Sequence, residues 1–217
     1  MSTIIRLDKK ILEKNDIIAA RMRDKFKSGG IAVVNIMSSP GAGKTTLLEE
    51  TIRRLSKRIS LAVIAGDIAT DYDAKRLENA GCASVVQINS GGRCHLEAAM
   101  VEKAFEEITG KPDLLIIENI GNLVCPAGFD LGEDERVMLA ALTEGLDKPK
   151  KYPGMYRSCG HVVINKIDLA QVLNIDPERF EHEALAVNPR LRVFKTSATR
   201  GDGLDEWCGW LESMVKG

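Results

Sequence analysis

Residues 38–50 read SSPGAGKTTLLEE, preceded by the apolar run IAVVNIM and followed by helical spacing. A strand, a Gly-rich turn, Gly-Lys-Thr and a helix, in that order, make up a phosphate-binding loop. Gly41 and Gly43 let backbone N–H groups turn inward around an anion, the following helix points its positive end at it, and Lys44 adds a compact charge. Thr45 offers a hydroxyl to Mg2+. Ser38 stands where the pattern has its first Gly.

Outward from this loop, β-rich apolar runs alternate with helical patterns: LAVIAGD, SVVQI, LLIIE, HVVIN and RVFKTS follow IAVVNIM. That rhythm predicts an α/β fold of three layers, the P-loop NTPase architecture, with a mostly parallel central sheet covered by helices. Upstream, Leu7, Ile11, Ile18, Met22 and Phe26 recur at helical spacing before Gly29 and Gly30. They predict an amphipathic N-terminal helix, so that residues 1–30 form a helical segment packed on a nucleotide-binding domain of residues 31–217. The Pro- and Gly-containing stretch between Leu142 and Gly160 has no clear period and reads as a surface loop.

The 217 residues, 44% hydrophobic and 28% charged, suffice for one well-buried domain. Thirty basic and 31 acidic residues are mixed along the chain, for a net charge of -1. This lacks the basic footprint of a nucleic-acid binder. No apolar run approaches the roughly 20 residues of a membrane span, and MSTIIRLDKK has no secretory core. A cytoplasmic location is expected. Five irregularly spaced cysteines fit reduced thiols or metal ligands better than a disulfide framework.

Asp67 and Glu118 close two of the expected strands, at the sheet edge where such folds bind nucleotides, and either could reach a Mg2+ shell. Glu118 opens E-N-I-G, an acidic residue and a Gly arranged as in a γ-phosphate sensor. NKID, residues 165–168, follows the apolar strand HVVI and matches the guanine-reading signature. The Asp168 carboxylate accepts from the ring N–H and exocyclic amine of guanine, a donor pair that adenine lacks. Asn165 can fix the loop, and the stem of Lys166 can lie over the base. Ser197 and Ala198, in SAT after the last strand, are placed to bring backbone N–H groups to the guanine oxygen.

Cys94 and His95 follow the third expected strand and Cys125 the fourth, so a parallel sheet brings all three to the nucleotide edge. Thiolates with imidazole suit Zn2+, Ni2+ or Cu+ far better than Mg2+. The alternative is structural: Cys94, Ala98, Val101, Phe105 and Ile108 share one helical face, so Cys94 is equally the first buried residue of a helix. Cys82, Cys159 and Cys208 read as packed thiols, Trp207 and Trp210 as core anchors, and His161 and His182 lack closely spaced ligand partners.

Taken together, SSPGAGKTTLL, GDIATDYDAKR, CHLEAAM, ENIGNLVCPAGFDLGE, KYPGMY and NKIDL resemble the HypB family of hydrogenase-maturation GTPases, from about Ile31 to GLDEWCGWL near the C-terminus. The resemblance implies a GTP/GDP-switched, Mg2+-dependent GTPase that assists nickel insertion into [NiFe]-hydrogenase. It implies a homodimer favoured by GTP, a HypA-like nickel chaperone and the hydrogenase large subunit as partners, and a nickel or zinc site on Cys94, His95 and Cys125. By position, Gly41, Ala42, Gly43, Lys44, Thr45 and Thr46 bind phosphate, Asp67 belongs to the Mg2+ and first switch region, and Glu118 to Gly121 form the second switch. Unlike relatives with an N-terminal cysteine cluster or His-rich run, this chain has no Cys or His before Cys82, and Ala99 stands where some members offer another His. Rival readings are a nickel-delivering scaffold that needs no turnover, a urease-type accessory GTPase, whose Cys-Pro-His motif is missing, and a P-loop kinase, against which NKID argues.

Overall fold

Residues 7–66 and 71–216 are described in the computed structural model. Among them, seven strands, β1 (Ala32–Ser38), β2 (Leu61–Ala65), β3 (Ser84–Gln87), β4 (Leu114–Glu118), β5 (Glu135–Ala141), β6 (His161–Asn165) and β7 (Arg192–Lys195), form one sheet. Their order is β3-β2-β4-β1-β5-β6-β7, with every pairing parallel. The helices are α1 (Leu7–Gly29), α2 (Lys44–Leu55), α3 (Asp71–Asn79), α4 (Ala98–Glu106), α5 (Lys148–Lys151), α6 (Pro153–Ser158), α7 (Ala170–Leu173), α8 (Pro177–Val187) and α9 (Leu204–Lys216). The expected three-layer α/β architecture is present. None of the described helices is long and apolar enough to cross a membrane.

Strands covered on both faces need apolar residues at successive positions, and β2 and β4 are buried throughout. On β1, Val34 and Ile36 join Leu48 and Ile52 of α2 and Trp207 of α9 on one face, while Val33 meets Met22 and Phe26 of α1 on the other. That alternation is the two-residue period of a strand dividing its side chains between two helical layers. Met37, Tyr156 and Phe180 belong to a third cluster. Trp207 and Trp210 are buried core residues, and the Trp207 indole donates to Thr51 Oγ1 at 3.0 Å. Cys82, Cys159 and Cys208 are buried; burial pushes their thiols up to about 11, about 12 and about 11, which keeps them protonated and inert.

Three expectations need correction. Met22 and Phe26 are buried and Phe26 meets Phe105 edge-on at 5.0 Å, but Ile11 is 51% exposed; the buried face there is carried by Asn15 and Ala19 instead. The side chain of Leu7 lies outside the described residues. β5, the stretch ERVMLAA, was not among the expected strands: Glu, Met, Leu and Ala are good helix formers, and only pairing between β1 and β6 overrides that preference. The stretch from Leu142 to Gly160 is no open surface loop. It folds into α5 and α6 and buries Leu142, Met155, Tyr156 and Cys159, in helices too short to show a period.

Candidate nucleotide and metal site

β1 delivers the chain to Ser38, which is fully buried, and α2 begins six residues later at Lys44. Between them Gly41 and Gly43 adopt φ of 80° and 96°, the left-handed turns that aim backbone N–H groups inward. Lys44 Nζ donates to Ser38 Oγ at 3.1 Å, so the serine at the usual Gly position supplies a hydroxyl partner for the lysine. Ser39, Gly41, Ala42, Gly43, Lys44, Thr45, Thr46, Arg76 and Glu118 line one cleft of about 230 Å³. Glu118, at the end of β4, is 4% exposed and not a solvated strand end. Asp67 lies outside the described residues. Sequence reasoning missed Arg76, whose guanidinium binds Glu49 Oε2 at 2.6 Å; a charged residue inside a helix carries no signal of which groove it faces.

The NKID segment is built onto the Gly-rich loop. β6 ends at Asn165, whose Nδ2 donates to Ala42 O at 3.0 Å and whose Oδ1 accepts from Thr196 Oγ1 and Ala198 N, both at 3.2 Å. Lys166 takes the left-handed conformation (φ 61°) and donates to Gly41 O at 2.7 Å, which lays its stem over the loop. Ser197 Oγ donates to Asp168 Oδ1 at 2.7 Å and fixes that carboxylate. The Ala198 N–H, expected to face a guanine oxygen, is engaged by Asn165. A methyl at Gly43 would come 2.8 Å from Asn165 Nδ2 at a backbone angle that L side chains rarely adopt. Gly43→Ala is therefore expected to destabilise the fold by about 1–3 kcal/mol, read by urea unfolding, and to weaken nucleotide binding. Unchanged stability would mean that the two loops are not held together as described.

On the other side of Glu118, the chain turns through Asn122, whose Oδ1 accepts from the N–H groups of Val124 and Cys125 at 2.7 and 3.3 Å. Cys125 thus begins a single 3-10 turn, with the following Pro126 buried. Cys94, His95 and Cys125 offer ligand atoms that all lie within 4.8 Å of one another, and Cys94 Sγ is 3.4 Å from His95 Nδ1. The alternative role for Cys94 is not realised: α4 starts only at Ala98, Cys94 is exposed, and Leu96 is the buried residue of that approach. Ala98 and Val101 do form the buried helix face.

The His95 ring stacks on Phe129 with centroids 3.8 Å apart. Burial holds its pKa below the ordinary imidazole value, with the Glu97 charge opposing and that of Arg93 adding, so it presents the neutral ring that binds metals. The Cys125 thiol is pushed above its usual value, first by its hydrogen bond with Cys94, then by burial and the Cys94 charge. Two thiolates this close repel, and a divalent cation between them reverses that penalty. Two sulfurs and one imidazole fit a borderline or soft cation and leave a coordination position for a further ligand.

The CobW/HypB/UreG, nucleotide-binding domain family matches residues 32–195. Along nearly its whole length the chain is also similar to the hydrogenase maturation factor HypB of Azotobacter chroococcum mcd 1, 47% identical over 212 residues, which are 97% of this chain and 69% of that protein. The chain belongs to the HypB family. Its fold is that of solved HypB structures. It is similar to HypB from Archaeoglobus fulgidus, with a TM-score of 0.88 and 35% identity over 94% of this chain and 99% of that one. It is likewise similar to HypB from Helicobacter pylori, solved in complex with nickel, with a TM-score of 0.87 and 38% identity over 94% and 95% of the two chains.

Proposed function

We propose that the protein is a Mg2+-dependent GTPase that binds nickel, or zinc, and assists nickel insertion into [NiFe]-hydrogenase. The observation that carries this is the sharing of one segment by two sites. The chain that leaves β4 at Glu118, in the phosphate cleft, arrives seven residues later at Cys125, beside Cys94 and His95. Nickel is the cargo of this cycle, and the nickel complex of the Helicobacter pylori relative supports that choice of metal.

Asp168 and Asn165 select guanine, with Ser197 holding Asp168 in place. Lys44 and the N–H groups of residues 41–46 bind the phosphates. Thr45 and Glu118 are hard oxygen donors in the same cleft and fit Mg2+, with Asp67 added by family position. Bound Mg2+ supplies charge neutralisation on the phosphates. Lys44 stabilises the charge that develops while water attacks in line, and catalysis is by positioning and electrostatics. Residues 31–217 form the GTPase domain and residues 1–30 a helical segment packed on it, a division supported by the contacts of Phe26 and Met22 with the sheet and α4. GTP favours a homodimer in the cytoplasm, and a HypA-like nickel chaperone and the hydrogenase large subunit are the partners, as the family resemblance implies.

Lys44→Ala is expected to lower GTP turnover by roughly 10²- to 10³-fold, the usual effect of losing one group that stabilises transition-state charge. Phosphate release at saturating GTP is the readout, and turnover within a few-fold of the parent protein would remove Lys44 from this role. Because the segment is shared, nickel affinity is coupled to nucleotide state; nickel titration in the GDP and GTP-analogue states tests this coupling, and equal affinities would sink it.

A further inference from the structure

The nucleotide edge and the metal ligands are joined beneath the surface by one buried amide. Asn119, 1% exposed, directly follows Glu118. Its Oδ1 accepts from Ile120 N at 2.9 Å and from Leu96 N at 3.4 Å, and its Nδ2 donates to Asn35 Oδ1 at 3.2 Å. Leu96 is the neighbour of His95, so a single side chain holds both the turn after β4 and the limb that carries two of the three ligands. Two residues further, Gly121 lies against the phosphate loop: a Cβ there would come 3.3 Å from Pro40 N and from Pro40 Cγ.

The second limb hangs from the same chain of bonds. Asn35 Nδ2 donates to Glu133 Oε1 at 3.1 Å, and Arg136 Nε donates to that oxygen at 2.5 Å. The Arg136 guanidinium also donates to Ala127 O at 3.2 Å and Phe129 O at 3.1 Å, just beyond Cys125, and the Phe129 ring is the one stacked on His95. Asn35 lies inside β1, where Val or Ile would pack without any desolvation penalty, and the buried Asn119 directly follows β4. Buried amides are tolerated when every donor and acceptor is matched, and a matched network specifies one geometry.

We propose that Asn119 is a positioning residue that passes movement of the turn Asn119–Gly121, set by the terminal phosphate of the nucleotide, to Leu96 and His95. Leaving the buried Leu96 N–H unpaired is unfavourable, so the ligand limb follows the turn. The Leu96 bond is the longest of the three that Asn119 makes, and so the most sensitive to a small shift. The inference rests on the GTP- and nickel-binding function proposed above, and it adds the group through which the two sites communicate.

The test is the ratio of nickel dissociation constants, measured with NiSO4 on the full chain, between the GDP state and a non-hydrolysable GTP-analogue state. Asn119→Ser replaces the amide with a hydroxyl that stays polar but is too short to reach both Asn35 and Leu96. A ratio of about 5- to 150-fold, the usual strength of coupling between sites, is expected to fall below about twofold in this variant. A residue with a merely structural role would weaken nickel in both states equally and leave the ratio unchanged, which overturns the proposal. Amide hydrogen exchange at Leu96 in the unaltered protein decides the matter even if the variant fails to fold. Protection that differs between the two nucleotide states supports the link, and identical protection overturns it. Equal nickel affinity in the unaltered protein, with exchange at Leu96 still differing, sinks the coupling part of the proposed function and leaves the link standing.

Discussion

Cys125→Ala is expected to abolish tight nickel binding, with an affinity loss on the order of a hundredfold or more. Removing groups that merely orient a ligand already costs about 10- to 100-fold, and here a ligand itself is lost. The site has three protein ligand atoms within 4.8 Å of one another, and two of the three are sulfurs whose repulsion as thiolates a bound cation relieves. Without Cys125, one thiolate and one imidazole remain. Cys125 is half-buried at the start of a short turn whose backbone is held by Asn122, so the fold and the GTP affinity should survive. Cys208→Ala is the matched control, a buried thiol in α9 with no part in the cluster. Isothermal titration of nickel into the GDP-bound variants reads the effect. Equal affinity in Cys125→Ala and Cys208→Ala would remove the proposed site.

Asp168→Asn should exchange the base preference. Ser197 holds one oxygen of the Asp168 carboxylate, and two guanine donors are left to meet the carboxylate edge. The amide of Asn would set N–H against N–H. Losing two charge-assisted hydrogen bonds and leaving donors unpaired amounts to about 4 kcal/mol, roughly a thousandfold in GTP affinity. Xanthosine triphosphate, with a carbonyl where guanine has its amine, should regain most of that loss. Competition against a fluorescent nucleotide provides the measurement. A variant that keeps GTP preference over both xanthosine and adenosine nucleotides would show that NKID does not read the base here.

Strong local chemistry was legible along the chain. Gly41, Gly43 and Lys44 must follow a strand and open a helix to bind an anion, and they do. NKID ends a strand next to that loop, and its Asn165 bonds the loop itself. Cys94, His95 and Cys125 were placed at one edge by parallel topology alone, and they meet there. Periodicity misled where it was counted through a residue that is not in the helix: Cys94 is in step with Ala98 and Val101, yet α4 begins four residues later. Arg76 and Asn119 carried no sequence signal of their surroundings, because a charged or amide side chain reads the same in any groove.

The sequence by itself determined the strand, Gly-rich turn and helix start around residues 41–44, the strand end at NKID, six of the seven strands and the edge at which Cys94, His95 and Cys125 meet, because each is specified by local spacing, short-range backbone chemistry or parallel topology. The tertiary structure alone decided that ERVMLAA is a strand, that residues 142–160 bury Met155 and Tyr156, and that Asn35, Asn119, Glu133 and Arg136 form one hydrogen-bonded chain between the two sites. These depend on partners far away in sequence. A central strand is stabilised by the two strands beside it, and a buried amide is tolerated only where distant donors and acceptors meet it.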